Sequence, residues 1–308
     1  MTGDDIGGDA VPPRPHFDPA LGDGWVEIGD GRRFWGRFGA AGLLLRDPDG
    51  RILLQHRVSW SHFGDTWGLP GGARHPDETA FEAALRESAE EAGVPPELVL
   101  PVLASVVTVG PWSYTTVVAS AVEHFEPRIM DLESNELRWV APDEVDSLPL
   151  HPGFGASWSG LRDLDSEMPV LVVDAANVVG SRPDGWWRDR AGAAQRLLES
   201  LGRLAALGLP GDAVGLGADT AWPRIVVVLE GEARAADAGR ALASAPRSRL
   251  VVEQAEGSGD DAIVAAVAAL GSVCRVVTAD RGLIARIEAL GASAIGPRTL
   301  LDLLDRGE

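Results

Sequence analysis

Three glutamates, Glu87, Glu90 and Glu91, stand at i, i+3 and i+4 near the end of the run AFEAALRESAEEAGV. In a helix this spacing gathers three carboxylates on neighbouring positions of one face. The run has the composition of a helix from Glu78 to Ala92, stopped by Gly93 and then Pro95-Pro96. The glutamates therefore occupy its last turns, where the helix dipole already disfavours negative charge. A solvated acidic face normally carries interleaved basic residues, and only Arg86, four before Glu90, stands close. A divalent cation would relieve the repulsion. Mg2+ suits such a place because it takes one or two carboxylates and completes its shell with waters and substrate phosphates. Such a site suits hydrolysis of a diphosphate linkage, in which the cation neutralises phosphoryl oxygens and acidifies an attacking water.

The whole segment Gly72 to Val94, GARHPDETAFEAALRESAEEAGV, reads as glycine, five residues, glutamate, seven residues, then R-E-S-A-E-E-A-G-V. This spacing resembles the box of the Nudix hydrolase family. Gly72, Glu78, Arg86, Glu87, Glu90, Glu91, Gly93 and Val94 match. Fixed positions in this number coincide by chance on the order of once per million chains of this length. Ser88 departs, since the family prefers an aliphatic residue there, and the departure bears on packing more than on chemistry. The resemblance implies an α+β domain with a mixed sheet and a nucleotide-type substrate. It also implies Mg2+ or Mn2+ bound by Glu87, Glu90, Glu91 and the Gly72 carbonyl, with Glu78 and Arg86 bracing the loop and helix. By the same resemblance the general base is a box glutamate, Glu90 or Glu91, or one from a later loop, Glu133 or Glu136 in DLESNELRWV. Trp60, Phe63, Trp67 and Trp112 are aromatic residues that could stack on a base, with Trp67 the one expected beneath the loop.

A second group of carboxylates lies in the other half of the chain. Asp174 ends the strand-like PVLVVD, Asp280 follows CRVVTA, and Asp260 and Asp261 follow GSG at the start of a helical run. In a parallel sheet, functional groups collect at the carboxyl ends of strands, beside the point where strand order reverses. With Asn177 these aspartates could form one acidic metal site, an arrangement that resembles PIN-like and NYN-type nucleases over roughly residues 169–300. Each aspartate could equally be a helix cap or a first-turn acid. The segment GSRPDGWWRDR interleaves Trp186 and Trp187 with Arg182, Arg188 and Arg190, as suits stacking and phosphate neutralisation on single-stranded RNA. The same pair of tryptophans could instead cover a domain interface.

These groups need two scaffolds. Residues 1–20, rich in Gly, Pro and Asp, read as a disordered arm. Residues 21–165 alternate strand-like runs around the one long helix, with FGAAGLLL and RILLQHR joined by Asp47-Pro48-Asp49-Gly50 as an expected hairpin. Residues 168–308 alternate strand and helix strictly, with unbroken Val/Ile/Leu strands that predict a parallel sheet covered on both faces. The boundary is expected within Leu161 to Pro169.

The 308 residues carry net charge −19, and all basic residues are arginine. Residues 1–168 hold 12 Arg against 28 acidic residues, so neither half presents a basic nucleic-acid surface of the usual kind. An acidic protein that handles phosphates needs cations or a local arginine cluster. Cys274 alone forms neither a disulfide nor a thiolate site. The acidic start and the lack of a long apolar run predict a soluble, cytoplasmic protein with no membrane partner. The functional expectation is a Mg2+-dependent hydrolase of nucleoside-diphosphate-linked substrates fused to a metal-dependent RNase-like domain. The alternatives are a pyrophosphohydrolase or decapping enzyme acting on RNA 5′ ends, coupled to the nuclease, and a hydrolase with a non-catalytic nucleotide- or RNA-binding module.

Overall fold

The computed structural model describes residues 18–29, 31–163, 170–183, 185–215, 217–243, 249–270 and 274–306. The expected arm (but for its last three residues) and residues 164–169 of the expected boundary lie outside them. The chain divides into two units, Met1–Pro101 with Val106–Arg162, and Val102–Ser105 with Asp163–Glu308.

In the first unit, β1 (Trp25–Ile28) and β2 (Arg32–Trp35) pair as an antiparallel ribbon. The main sheet is built on β3 (Ala40–Arg46), β4 (Ile52–Arg57), β5 (Trp67–Gly68), β6 (Gly71–Ala73), β7 (Val99–Val109), β8 (Trp112–Ala121) and β9 (Ser134–Val140), with helices α1 (Ala80–Ala92) and α2 (Pro152–Asp163). The sheet is mixed: β3 runs parallel to β8 from Ala40↔Tyr114 to Arg46↔Ser120 and antiparallel to β6. The expected hairpin between β3 and β4 is confined to the single pair Arg46↔Ile52 beside the turn, where Asp47 accepts the Gly50 N–H. Beyond it the strands part, because β3 is committed to β8 and β6 while β4 pairs with β9. Small residues at the start of β3 make room for this: a Cβ on Gly42 would clash with the Tyr114 hydroxyl.

Helix α1 begins at a capping box, in which Thr79 Oγ1 accepts the Glu82 N–H and Glu82 accepts the Thr79 N–H. It ends at Gly93, which is left-handed at φ 63°. Its buried face carries Ala83, Ala84, Leu85, Ser88 and Ala92. Ser88, the departure from the box, is fully buried and donates its hydroxyl to the Ala84 carbonyl, so the helix itself satisfies the polar group.

In the second unit the chain runs β10 (Val170–Asp174), α3 (Ala175–Gly180), α4 (Arg190–Leu207), β11 (Leu209–Pro210), β12 (Thr220–Ala221), β13 (Arg224–Leu229), α5 (Ala238–Ala243), β14 (Leu250–Gln254), α6 (Gly259–Leu270), β15 (Cys274–Val277), α7 (Arg281–Glu288), β16 (Ser293–Ile295) and α8 (Pro297–Arg306). Five strands form a parallel sheet in the order β14-β13-β10-β15-β16. Val173 and Val227 pack with Leu198, Leu201 and Leu300 on one face, and Val172, Val226 and Val276 with Ile263, Val267 and Ile287 on the other. Both faces are covered, which explains strands without polar alternation. The chain reverses direction across the sheet between β10 and β15, the place where an open parallel sheet offers a crevice. Cys274 is buried at 2% exposure as a small apolar residue.

One detail departs from a boundary placed wholly near residue 165. Val102–Ser105 of β7 belong to the second unit, where Leu103 and Ala104 pair with Ala221 and Thr220. Backbone ladder bonds of this kind leave no mark in side-chain composition. No described helix is long and apolar enough to cross a membrane.

Candidate functional site

In the first unit the loop before α1 folds back on the helix through its glutamates and one arginine. Glu91, 8% exposed, accepts the Gly71 N–H on Oε2 at 2.9 Å. Glu87 lies so close to Gly72 that a Cβ there would sit 2.6 Å from its carboxyl carbon. Arg86 spans the rest: Nε and Nη2 donate to Glu78 at 2.8 and 3.0 Å, Nη2 to the Ala73 carbonyl at 3.0 Å, and Nη1 to Glu87 at 2.9 Å and Glu90 at 3.4 Å. Glu78 also accepts the His75 N–H. Glu78 and Arg86 thus tie loop to helix, and Glu90, its side chain 61% exposed, points outward beside Arg86.

A carboxylate group beside the helix is only partly drawn from the box. Glu91, Asp131 and Glu133 each offer an oxygen within 4.8 Å of the others. Asp131 was not singled out from the sequence; its one signal was the acid density of DLESNEL. Glu136 does not join this group. It sits in β9 opposite His56 and is exposed, with Arg138 donating to it at 2.8 Å.

A model of the NUDIX domain matches residues 36–159. A Mycobacterium tuberculosis (strain H37Rv) protein provisionally named 8-oxo-dGTP diphosphatase 3 is 54% identical over 164 residues, covering 50% of this chain and 75% of that one. A nucleoside triphosphate pyrophosphatase/Nudix hydrolase fusion protein of Bifidobacterium longum is 44% identical over 145 residues, covering 44% of this chain and 30% of that one. The solved structure of RenU, a Nudix hydrolase from M. smegmatis, is 50% identical, covers 46% of this chain and 94% of that one, and aligns with a TM-score of 0.44. The chain belongs to the Nudix family.

It is accordingly a Nudix hydrolase acting on pyrophosphate bonds, and enzymes of this family generally use divalent metals. The electrostatics of this Nudix domain fit a cation. Burial raises the Glu87 carboxyl to about 7, with Arg86 opposing the rise and Glu90 and Glu78 adding to it. Burial and then Glu87 push Glu91 well above the usual carboxylate range, while Asp131 and Glu133 are raised chiefly by burial. Glu78 behaves oppositely: burial would raise it, but the hydrogen bonds from Arg86 and the His75 N–H hold it below its ordinary value. A carboxylate trio at this spacing, with burial opposing its charge, is a donor set of the hard-oxygen kind that Mg2+ or Mn2+ takes.

Of the four aromatic residues, Trp67 and Trp112 are buried, stacked on His56 and Phe34 respectively. Trp60 and Phe63 are exposed, Phe63 at a left-handed φ of 56°.

The second unit holds an acidic cavity of about 420 Å³ lined by Asp174, Ala176, Asn177, Gly180, Ser181, Glu230, Asp260 and Asp280. It opens at the carboxyl edge of the parallel sheet, where the strand order reverses. Asp174 caps α3 through the Asn177 N–H at 3.0 Å and accepts the Thr278 hydroxyl at 2.8 Å. Asn177 Oδ1 accepts the Ala279 N–H at 2.9 Å, and Asp280 caps α7 through the Leu283 N–H. Asp174, Asn177, Asp260 and Asp280 are therefore both caps or first-turn residues and walls of one cavity. Glu230, directly after β13, accepts the Gly259 N–H at 2.7 Å and was overlooked, although the strand-end rule that found Asp174 also applies to it.

Two residues fall outside that group. Asp261, expected in the site, is exposed, paired with Arg286 at 2.6 Å, and does not line the cavity. Arg182 is paired with Asp305. Among the described residues the cavity carboxylates do not close to the 4.8 Å spacing of the first unit's trio. Asp174 is raised by burial, with Asp260 and Glu230 contributing, and Asp260 by burial and then Asp280. Gly180, on the cavity wall, lies 3.7 Å from Trp186 measured from its ideal Cβ position. Trp186 carries the Arg190 guanidinium 5.5 Å above its ring, and Trp187 meets it edge-on and is exposed. Arg188 is exposed in the turn between them and α4.

Proposed function

We propose that the first unit hydrolyses a nucleoside-diphosphate-linked substrate, with Glu91, Asp131 and Glu133 holding Mg2+ beside Glu87. The observation that carries this is the convergence of that trio on the helix whose glutamates also hold the Gly71–Gly72 loop. A Mg2+ ion bound there supplies charge neutralisation at the phosphoryl oxygens and an acidified water. The chain's own groups do the rest. Arg86 keeps Glu87 and Glu90 in place, and Glu133, in preference to the arginine-paired Glu136, accepts the proton of the attacking water. Relatives named 8-oxo-dGTP diphosphatase and CTP pyrophosphohydrolase support a nucleoside triphosphate as the first substrate to try.

For the second unit we read a PIN-like domain with metal-dependent RNase activity, in which Asp174, Asp260, Asp280 and Glu230 hold the cation. Asn177, Trp186, Trp187 and Arg188 would contact the strand. The strand-order reversal at a cavity walled by four carboxylates supports it.

The deciding experiment is Mg2+-dependent product analysis over nucleoside triphosphates, nucleotide sugars and 5′-triphosphorylated RNA, with wild type and Glu91→Gln. The substitution removes a charge at constant volume, so turnover should fall at least ~100-fold while the fold is kept. Near wild-type turnover in Glu91→Gln would remove the carboxylate assignment.

A further inference from the structure

Gln55 is fully buried in β4, directly after Ile52, Leu53 and Leu54. A buried amide in such a strand needs a reason, because an unmet polar atom there is destabilising. Its backbone pairs as any strand residue's would, with Leu137 and Gly68 as neighbours. The side chain does something else. Nε2 donates to Ser134 Oγ at 2.7 Å, and Ser134 Oγ lies 3.1 Å from Asp131 Oδ1. Oε1 is buried with no hydrogen-bond partner. A leucine would fill the same volume and orphan nothing.

We infer that Gln55 is a positioning residue for pyrophosphate hydrolysis, acting through Ser134 to hold Asp131 against Glu91 and Glu133. An NH2 group can only donate, so the serine oxygen must accept and its one proton is turned towards Asp131. The same carboxylate oxygen takes the Glu133 N–H at 3.2 Å, which fixes Asp131 from its other neighbour. Partners of this kind orient a metal-holding carboxylate and tune its affinity without touching the ion. The orphaned Oε1 is then the stability cost of that orientation. This inference rests on the reading in which the trio holds a cation.

Mn2+ binding by the full chain is the test, followed by electron paramagnetic resonance of the free ion. The background carries Asp174→Asn to silence the second unit's cavity. Gln55→Leu and Ser134→Ala should each weaken binding by about 10-fold, and Ser134→Thr, which keeps the hydroxyl, should stay near the parent. Combining Gln55→Leu with Ser134→Ala should add nothing, since both break one chain of contacts. Thermal melting should show Gln55→Leu as stable as the parent or more so.

If Gln55→Leu weakens binding equally with and without the Ser134 hydroxyl, or leaves Mn2+ affinity unchanged, the relay is wrong. Should Gln55→Leu fail to fold, Ser134→Ala against Ser134→Thr decides alone, and equal affinity in the two overturns the proposal. Asp131→Asn separates the layers. Unchanged affinity there would sink the cation-site reading itself, whereas weakened affinity there with none in Gln55→Leu would sink only the relay.

Discussion

Glu87 shows how one side chain couples stability to metal. Its carboxyl is raised to about 7 in the folded protein, chiefly by burial, from an ordinary value of 4.5. Below 4.5 it is protonated in both folded and unfolded chains and contributes nothing. Between 4.5 and 7 the folded state keeps a proton that the unfolded state has released, so stability falls as pH rises through that window and the penalty is complete above 7. Chelator-treated protein should therefore lose urea resistance from pH 4.5 to 7, and Glu87→Gln should flatten that part of the loss. Excess Mg2+ at pH 7 should restore stability by binding the folded state alone. Parallel pH profiles for wild type and Glu87→Gln would show that the carboxylate is not held as described.

At the scale of elements, the site depends on how closely the Gly71–Ala73 strand approaches α1. Gly72→Ala would place a methyl group 2.6 Å from the Glu87 carboxyl carbon. That neighbour is the end of a flexible side chain, so the chain should still fold, with a change in melting temperature of a few degrees. Pyrophosphate hydrolysis should nevertheless drop by about 10²-fold, since a catalytic group displaced by roughly 1 Å costs that much. A Gly72→Ala variant with unchanged kcat would mean the close approach is incidental.

The helix and its Gly93 stop were legible from spacing, because helix geometry makes sequence distance into spatial distance, whereas the loop-bracing pair Glu78–Arg86 followed from the resemblance to the family box, Glu78 lying before the helix begins. The trio was not legible. Asp131 reaches Glu91 across 40 residues through a loop whose path no periodicity encodes, and nothing in the spacing of RILLQHR marks Gln55 as its support. The β3–β4 turn was equally visible, yet the strands' true partners were set by the parallel β3–β8 ladder, a pairing between distant segments.

At the scale of the whole molecule, each unit brings carboxylates together at its candidate site, and each does so by different means. In the first unit a helix end and a loop converge, whereas in the second the carboxyl ends of parallel strands do so, which is why strand-end aspartates could be named from sequence although Asp174 and Asp280 are over 100 positions apart. Asp261 is instead paired with Arg286 and does not line the cavity. If each group serves its own reaction, the two should be separable by single substitutions. Asp174→Asn keeps the α3 cap, since the amide oxygen still accepts the Asn177 N–H, while its NH2, in place of the second carboxylate oxygen, donates to the Thr278 hydroxyl oxygen. What it removes is one negative charge from the cavity. Mg2+- or Mn2+-dependent cleavage of single-stranded RNA should then be lost in Asp174→Asn while nucleotide hydrolysis stays at the wild-type rate, and Glu91→Gln should give the reverse pattern. RNA cleavage unaltered by Asp174→Asn would transfer the second unit to the reading of a non-catalytic module. Binding of the same RNA, measured by fluorescence anisotropy with wild type and Trp187→Ala, would then decide whether the exposed Trp187 face is its contact surface.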